Sequence, residues 1–564
     1  MPSLTKKTIN GKPYYYLREC QRVNGRPKIV WTQYLGSPQA LLERLTRPEP
    51  QSVDLFEFGA SAAAYRLAAS LDVVATIDRH VPKLGAQGPS VGQYMLVAAL
   101  NRCVAPRSKA RIADWYAKTV LRRLLPLSAA QLTSQRFWDN MDRISEEQIV
   151  AIERDLAKTA VDRFDLDLHG LLFDATNFYT FVDSFNTRPR LPQLGHSKEG
   201  RANLRIIGLA LLVTADGEVP LFHHTYAGNQ HDAVTFRSAI GELADRCKLL
   251  AQGACDITLV FDKGNNSEEN LESAAEGPFH FVGSLVPTHH AKLLAIPRAE
   301  MRRLDPELLP SVWSYRTHKV VFGVKRLVLC TYNRPLFVAQ RKTLRREIAK
   351  RLRKLRHLQA SLGRARRQPR GKAPTLEGTR KRVDAILAGR HMKALFSAKV
   401  SVESGSVPHL SFRFRQGAWM KLSRTLLGKT ILFTDREDWS DEQIVLAYRG
   451  QAHVEAAFRR MKDPRFLTFR PTHHWTDQKL RVHAFYCVLA LMLLSLLRRE
   501  LENQGIYLSI ARMMEKLSEI REVAILYPSP AAASEPFVRT TTSGMDSEQR
   551  ALFEALNLQP LLSK

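Results

Sequence analysis

The chain has few acidic residues relative to basic ones, and its cysteines are too sparse to organise a fold. It carries 84 Lys and Arg against 55 Asp and Glu, which gives a net charge of +29 over 564 residues. Such an excess favours a polyanionic partner, with nucleic acid ahead of an anionic membrane. The six cysteines form no close CxxC pair, so neither a disulfide framework nor a zinc finger is expected.

Long hydrophobic runs are also absent from the sequence. The longest apolar run, Ala484 to Leu497, is shorter than the roughly 18 to 20 residues that span a bilayer, so it predicts a buried helix and no membrane association. The first residues, MPSLTKKTINGK, contain no apolar stretch of the kind that a secretory signal needs. The sequence therefore predicts a cytoplasmic protein.

The chain is several times longer than a usual domain, so several domains are expected. Its patterns predict an α/β protein built from six segments. They are a small β-rich segment at 1–50, a helical segment at 51–165 that we expect to bind DNA, a β-rich segment at 166–270, a β-rich segment with a basic helix (about 341–366) at 271–438, a helical segment at 439–500 and a helical tail at 501–564.

Short β-prone stretches separated by turn signals predict the strands. Near the start of the chain, Tyr14–Leu17 and Ile29–Tyr34 flank the turn signal Asn24-Gly25 and predict a hairpin. Four apolar stretches then predict further strands, at Leu168–Phe173, Leu204–Thr214, Val219–His224 and Ile257–Phe261. The first three of these are expected to pair as a meander.

The basic interval from Arg341 to Arg370 contains 13 Lys or Arg residues and one acidic residue. Leucine and isoleucine recur through it at three- and four-residue spacing, which predicts an amphipathic helix. Its basic face could either bind DNA phosphates or be an ordinary solvent-exposed surface. Gln368–Thr379 and Tyr527–Pro536, rich in Pro with Gly or Ala, predict a loop and a linker.

Two aspartates follow apolar strands directly. Asp174 comes after Leu171-Leu172-Phe173, and Asp262 comes after Leu259-Val260-Phe261. If the two strands are neighbours, the carboxylates converge, because adjacent strands lie only about 4.8 Å apart. Asp256 is a poorer candidate because it precedes the second strand.

Glu455 lies on a helix whose start is marked by Ser440 and Gln443, a capping-box pattern. Tyr448, Glu455 and Lys462 are spaced by seven residues and are expected on one helical face. Three carboxylates suit Mg²⁺, which prefers oxygen ligands. Two such ions stabilise the attacking and leaving oxygens of a phosphodiester.

At these residues the chain resembles a bacterial DDE transposase of the Insertion Sequence 4 superfamily, in its Insertion Sequence 1634-like branch. The resemblance covers roughly residues 10 to 500 and includes the stretches FDATNFY, GHSKEGR, GNQHDAVTF and VFDKGNNS. Its most specific element is the signature Tyr-x2-Arg-x3-Glu-x6-Lys, which matches at Tyr448, Glu455 and Lys462, with Gln451 in place of the Arg. The gap before Glu455 is more than twice the gap between the aspartates, which fits the insertion that this family carries.

The resemblance implies an RNase H-like catalytic core at 166–270 and 439–500, interrupted by a largely β insertion domain at 271–438, behind a helical N-terminal domain. It implies that Asp174, Asp262 and Glu455 are the catalytic residues and hold two Mg²⁺ ions, for which Mn²⁺ would substitute. DNA contacts are expected from Tyr448, Gln451, Lys462, Arg449 and Arg459.

The implied partners are double-stranded DNA, as the terminal inverted repeats of the element and as the target, and a second copy of the chain in a dimeric synaptic complex. The implied location is the bacterial cytoplasm, at the nucleoid when the protein is bound to DNA. Two alternatives stay open at this point. One is an RNase H-like nuclease without strand transfer, and the other is a non-catalytic DNA-binding regulator derived from a transposase.

Overall fold

In a computed structural model, the chain is described at residues 2–23, 26–45, 50–83, 85, 87–183, 185–201, 203–250, 256–275, 277, 279–368, 373–402, 407–470, 472–527 and 537–562. The predicted turn at Asn24-Gly25 and most of the predicted linker at 527–536 lie outside these residues. So do residues 369–372 of the predicted loop.

The strands within the described residues are β1 (Pro2–Ile9), β2 (Lys12–Val23), β3 (Arg26–Gly36), β4 (Ser52–Glu57), β5 (Gly170–Tyr179), β6 (Ile206–Thr214), β7 (Pro220–Ala227), β8 (Thr258–Phe261), β9 (His280–Leu285), β10 (Arg302–Arg303), β11 (Val312–Val321), β12 (Val324–Asn333), β13 (Phe396–Ser401), β14 (His409–Phe414), β15 (Lys429–Thr434), β16 (Arg521–Tyr527) and β17 (Phe537–Thr542).

The α-helices are α1 (Pro38–Leu45), α2 (Gly59–Ser70), α3 (Val73–His80), α4 (Val91–Val104), α5 (Ile112–Tyr116), α6 (Leu121–Leu124), α7 (Ser134–Met141), α8 (Glu146–Phe164), α9 (Asp232–Leu250), α10 (Glu268–Ala275), α11 (Ala291–Ala295), α12 (Arg334–Arg367), α13 (Leu376–Leu387), α14 (Met392–Leu395), α15 (Gln416–Thr425), α16 (Asp441–Arg449), α17 (Gln451–Met461), α18 (Asp477–Glu502), α19 (Ile510–Glu519) and α20 (Ser547–Ala555).

By its contacts the chain divides into two compact units, and the first comprises residues 1–65, 113–129 and 511–564. It contains two antiparallel sheets, with strand orders β1-β2-β3 and β17-β16-β4. The predicted hairpin is confirmed as β2 paired with β3. The strand that precedes it, β1, pairs with β2 along its whole length and was not predicted.

The prediction of a helical tail at 501–564 is wrong at two places, because β16 and β17 are strands. Strand β16 pairs with both β17 and β4, so that Arg521 lies opposite Glu57. The partner strand β4 lies near the other end of the chain, in a segment predicted to be helical. Local periodicity carries no information about so distant a partner, because a strand is stabilised by its cross-strand neighbours.

The second unit comprises residues 66–112 and 130–510 and is organised by a sheet of order β10-β11-β12-β15-β9-β8-β5-β6-β7. The predicted meander is confirmed, since β5, β6 and β7 pair antiparallel in sequence order. Beside it, β8 pairs in parallel with β5 and β9 in parallel with β8. Because both faces of these central strands are covered, β6 is buried at every position.

The segment predicted as an insertion, 271–438, shares this sheet through most of its strands. β9, which lies inside the predicted insertion, belongs to the parallel part of the sheet, and β10, β11, β12 and β15 extend the sheet beyond it. Of the described strands in this segment, β13 and β14 form a separate pair. The strands of the predicted insertion thus continue the sheet that carries Asp174 and Asp262.

The predicted basic helix is confirmed and is longer than expected. α12 begins after Asn333, whose side chain accepts a hydrogen bond from the Leu336 N–H. Its predicted apolar face packs in a hydrophobic cluster that includes Leu355, Leu358 and the buried Trp419. The opposite side carries exposed Arg and Lys residues such as Arg353 and Lys354.

The apolar run predicted as a buried helix lies in α18. This helix is long and apolar enough to cross a membrane, but 94% of its apolar window is buried inside the protein. Thr476 caps its start by accepting a hydrogen bond from the Lys479 N–H. Burial all round is typical of the central helix of a large core.

The turn between β6 and β7 anchors α17 through one buried carboxylate, Glu218. It pairs with Arg460, with His453 at 2.9 Å and with Arg498 at 3.4 Å. Burial alone would raise the pKa of Glu218, but the hydrogen bonds from His453 and Arg460 and the nearby guanidinium charges outweigh burial and lower the pKa to about 2. Glu218 therefore stabilises the position of the helix that carries Glu455.

Replacing Glu218 by Gln is expected to lower the free energy of unfolding by roughly 3 kcal/mol at pH 7, because buried cations lose their counterion. A lowered pKa contributes stability that is present above the ordinary carboxyl pKa of about 4.5 and is lost as the pH falls toward 2. Chemical denaturation at pH 7 and pH 3 therefore should show a wild-type advantage that shrinks in acid.

Glu502→Gln is the matched control, because Glu502 also pairs with Arg498, at 3.2 Å, but its side chain is 33% exposed. Its expected cost is about 1 kcal/mol or less. An advantage of the wild type over Glu218→Gln that is the same at both pH values would contradict the assignment.

Candidate active site

Asp174 and Asp262 lie side by side on adjacent parallel strands. Phe173 is in register with Phe261 at the end of the β5–β8 ladder, so the next residue of each chain segment is an aspartate. The predicted strand end at Phe173 is wrong, since β5 continues to Tyr179 along its antiparallel partner β6. Asp174 therefore lies beyond the last residue pair of the β5–β8 ladder but still within β5. Asp262 lies beyond the end of β8.

Asp262 is held by three side chains. Its Oδ1 accepts hydrogen bonds from the Ser284 hydroxyl at 2.7 Å and from the Tyr448 hydroxyl at 3.1 Å. The Lys263 ammonium lies 3.0 Å from Oδ2. Burial alone would raise the pKa of Asp262, but the Ser284 hydrogen bond and the Lys263 charge outweigh it and lower the pKa. Asp262 is therefore kept ionised.

The helix that was predicted to carry Tyr448, Glu455 and Lys462 on one face is divided at Gly450 into α16 and α17. The predicted capping box at its start is confirmed, with Ser440 and Gln443 bonded to each other's backbone N–H. A Cβ at Gly450 would lie 3.0 Å from Leu172 of β5, so glycine allows the helix junction to approach the sheet closely.

Gln451, the first residue of α17, is buried against the two strands that lead to the aspartates. Its amide Nε2 donates to the Val260 carbonyl at 2.6 Å and to the Phe173 carbonyl at 3.3 Å. These carbonyls belong to β8 and β5, so one side chain ties α17 to both strands. The predicted DNA contact of Gln451 is therefore corrected, because its donors are occupied by the main chain and it is only 8% exposed.

The three predicted catalytic carboxylates line one open cavity of about 440 Å³. Its described lining consists of Asp174, Ala175, Thr176, Lys198, Asp262, Gly264, Asn265, Glu455, Phe458, Arg459 and Lys462. Glu455 is exposed on α17. Among the residues that the structure describes, no three His, Cys, Asp or Glu side chains are close enough to hold one ion jointly.

Basic side chains border the cavity on the side of Asp174. The Lys462 ammonium donates to the Thr176 hydroxyl at 3.0 Å, and the Lys198 ammonium donates to the Ala175 carbonyl at 2.7 Å. Burial lowers the pKa of Lys462. Behind them Glu199 pairs with Arg470 at 3.0 Å, and Arg470 donates to the Lys462 carbonyl.

Of the residues predicted to contact DNA, Lys462 and Arg459 line the cavity, and Tyr448 reaches it through Asp262. Arg449 is exposed on α16 but is not among the described lining residues. Lys198, from the stretch GHSKEGR, also lines the cavity. Ser284 and Lys263 were not predicted, although Lys263 directly follows Asp262 and its position in the chain was a usable signal.

The donor set fits Mg²⁺. Carboxylate oxygens are the ligands that this ion prefers, and it usually keeps several waters and takes only one or two carboxylates from the protein. Asp174, Asp262 and Glu455 supply ligands of this type from the lining of one cavity, and among the described residues they do not form a close three-ligand group. No described Cys or His lines the same cavity.

The fold and the site define an α/β protein with carboxylates and ammonium groups around one open cavity, a composition typical of enzymes that act on phosphodiesters. The sequence model of one family, the transposase DDE domain, matches residues 166–493, more than half of the chain. The chain belongs to this transposase family.

Two further comparisons add no support for a function. One similar solved structure is a cryo-EM structure of the piggyBac transposase synaptic complex with hairpin DNA, at 8% identity, covering 81% of this chain and 78% of that one, with a TM-score of 0.38. That score is too low to support an argument. No curated protein matches the chain in sequence.

Proposed function

We propose that this protein is the DNA transposase of an insertion sequence, and that Asp174, Asp262 and Glu455 are its catalytic residues. The observation that carries the proposal is the register of β5 and β8, which brings Asp174 and Asp262 to one cavity with Glu455 inside the family's domain. The three antiparallel strands followed by two parallel ones support an RNase H-like core. The branch is proposed to be that of Insertion Sequence 1634 in bacteria.

The three carboxylates would hold two Mg²⁺ ions, or Mn²⁺ in their place, which supply charge stabilisation for the attacking and leaving oxygens. Asp262 is ready for this role because Ser284 and Lys263 keep it ionised. Tyr448 fixes the orientation of the Asp262 carboxylate by its hydrogen bond. Lys198, Arg459 and Lys462 would bind the phosphates of the strand that enters the cavity.

The proposed substrates are double-stranded DNA at the ends of the element and at the target, bound by a homodimer in the cytoplasm. Water attacks the phosphodiester at an element end, and the freed 3′ hydroxyl then attacks a target phosphodiester, so that each step exchanges one P–O bond for another. The exposed basic side of α12 would bind flanking phosphates.

The test uses a plasmid that carries the element with its flanking DNA, incubated with the purified protein and Mg²⁺. We expect breaks at the element ends together with joined products. Cutting without joined products would support the nuclease alternative, and DNA binding without any cutting would support the regulatory one.

Replacing Lys462 and Arg459 together by Met is expected to weaken binding of element-end DNA. Removing one phosphate-binding cation reduces the slope of log K against log salt by about 0.9, so the slope of the double variant should fall by up to about 1.8. Fluorescence anisotropy over a salt series in EDTA measures the slope. Lys292→Met, an exposed lysine on α11, is the control and should leave the slope unchanged. An unaltered slope in the double variant would show that neither side chain contacts DNA phosphates.

A further inference from the structure

A second cavity, of about 650 Å³, lies on α4, α7 and the start of α18, apart from the carboxylate cavity. Two indoles on its wall are exposed, since Trp138 is 40% and Trp475 is 68% accessible. Two cations on the same wall are buried, since Arg102 is 3% and Lys109 is 9% accessible. Exposed aromatic rings and buried cations thus share one concave surface of a size usual for small-ligand sites.

The two buried cations have no acidic partner in the cavity. No Asp or Glu is among its described lining residues. Arg102 donates to the Thr468 carbonyl at 3.2 Å, and Lys109 donates to the Tyr486 hydroxyl at 2.7 Å and lies over the ring of Tyr486 at 4.1 Å. Burial and the charge of Arg102 lower the pKa of Lys109, as expected for a cation held without a counterion. An anion placed here would supply the missing charge.

Two histidines of the cavity, His474 and His483, do not compete for that anion as cations. His483 Nε2 donates to the Phe469 carbonyl at 2.6 Å, which leaves Nδ1 to accept from its neighbours. Its neighbour His474 lies 3.1 Å away, nitrogen to nitrogen. Burial, with the charges of Lys109 and Arg102, lowers the pKa of His474 to about 3. Of the other basic side chains in the lining, Arg188 is exposed and Lys479 pairs with Asp142 at 2.6 Å, so Arg102 and Lys109 are the buried basic groups that have no acidic partner.

We propose that this cavity binds one nucleoside monophosphate unit, with its base against the indoles of Trp475 and Trp138 and its phosphate beside Arg102 and Lys109. Stacking on exposed aromatic rings accepts any base, because every base has a flat π face. The unit comes either from a DNA strand or from a free nucleotide. The DNA source rests on the proposed function, whereas binding of the unit itself does not.

The cavity is connected to the carboxylate site through one chain segment. Arg102 donates to Thr468, and Arg470 of the same segment donates to the Lys462 carbonyl. The segment from Lys462 to Trp475 therefore contributes to both cavities, with Lys462 in the lining of the carboxylate cavity and Trp475 in the lining of this one. That placement favours a nucleotide of the bound DNA over a free one.

The test is calorimetric titration of the full-length protein in EDTA, so that no cleavage occurs, with thymidine 5′-monophosphate, thymidine and inorganic phosphate. We expect the monophosphate to bind at least tenfold more tightly than either fragment. Trp475→Ala and Lys109→Met should each weaken it at least tenfold, and Tyr507→Ala, an aromatic side chain that is 77% exposed elsewhere, should not. Trp475 is a surface residue, so its variant keeps the test valid if the Lys109 variant does not fold.

Equal binding of phosphate alone and of the monophosphate, or an unchanged affinity in Trp475→Ala, would overturn the proposal. The source is assigned with a duplex that ends in a single-stranded 2-aminopurine nucleotide. A fluorescence change that Trp475→Ala abolishes makes DNA the source. Monophosphate binding without that change makes a free nucleotide the source. Both results retain the site, and neither depends on whether the carboxylate cavity cuts DNA.

Discussion

Asp262→Asn is expected to reduce cleavage at element ends by at least about 10³-fold, which is on the order of 4 kcal/mol of transition-state stabilisation. Asparagine keeps the shape of the side chain and can still bond to Ser284, so the fold should persist. It removes the negative charge that a divalent ion needs. The measurement is the single-turnover rate of cleavage of a labelled element end at saturating Mg²⁺.

DNA binding by Asp262→Asn should be equal to the wild type or tighter, because the variant lacks a charge that repels phosphate. The matched control is Asp256→Asn, at the opposite end of the same strand, where Asp256 pairs with Arg436. Asp256 is 56% exposed and outside the described lining of the cavity. If the Asp256 variant lost cleavage equally, or if the Asp262 variant kept it, the catalytic assignment would be wrong.

Much of the central sheet could be predicted from local sequence because its strands are short, apolar and bounded by turns. The β5, β6 and β7 meander and the capped start of α16 both depend on neighbouring residues. The aspartates were found because each directly follows a run of apolar residues, and the parallel pairing of β5 with β8 then brings them side by side.

What was missed depends on residues distant in sequence. The β4–β16 pairing joins segments from both ends of the chain, and the Ser284 hydroxyl reaches Asp262 from another strand. The seven-residue spacing from Tyr448 to Lys462 assumed one straight helix, whereas Gly450 divides it. Tyr448 therefore reaches Asp262 from α16, while Glu455 is on α17.

At Gln451 this chain departs from the family signature, and replacing this residue is the second prediction with a large expected effect. In the signature an Arg stands here, and a phosphate contact was expected, but the Gln451 amide bonds to the carbonyls of Phe173 and Val260. The Phe173 carbonyl directly precedes Asp174, and the Val260 carbonyl lies two residues before Asp262. We therefore expect Gln451 to position these two carboxylates through the backbone and not to contact DNA.

Gln451→Leu is expected to lower the free energy of unfolding by roughly 2 to 3 kcal/mol, because the apolar side chain leaves two buried carbonyls short of a donor. It should also slow cleavage by about tenfold or more without weakening DNA binding, since α17 and the two strands lose their shared tie. Chemical denaturation and the labelled-end assay measure the two effects.

Gln443→Leu is the matched control for the Gln451 variant, because Gln443 also bonds a backbone group, the Ser440 N–H at 2.8 Å, but at an exposed position. Its loss should cost about 1 kcal/mol or less, since water replaces the bond. If both variants cost the same and cleave at the same rate, Gln451 does not hold the strands. A fall in DNA affinity confined to the Gln451 variant would instead show that Gln451 contacts DNA.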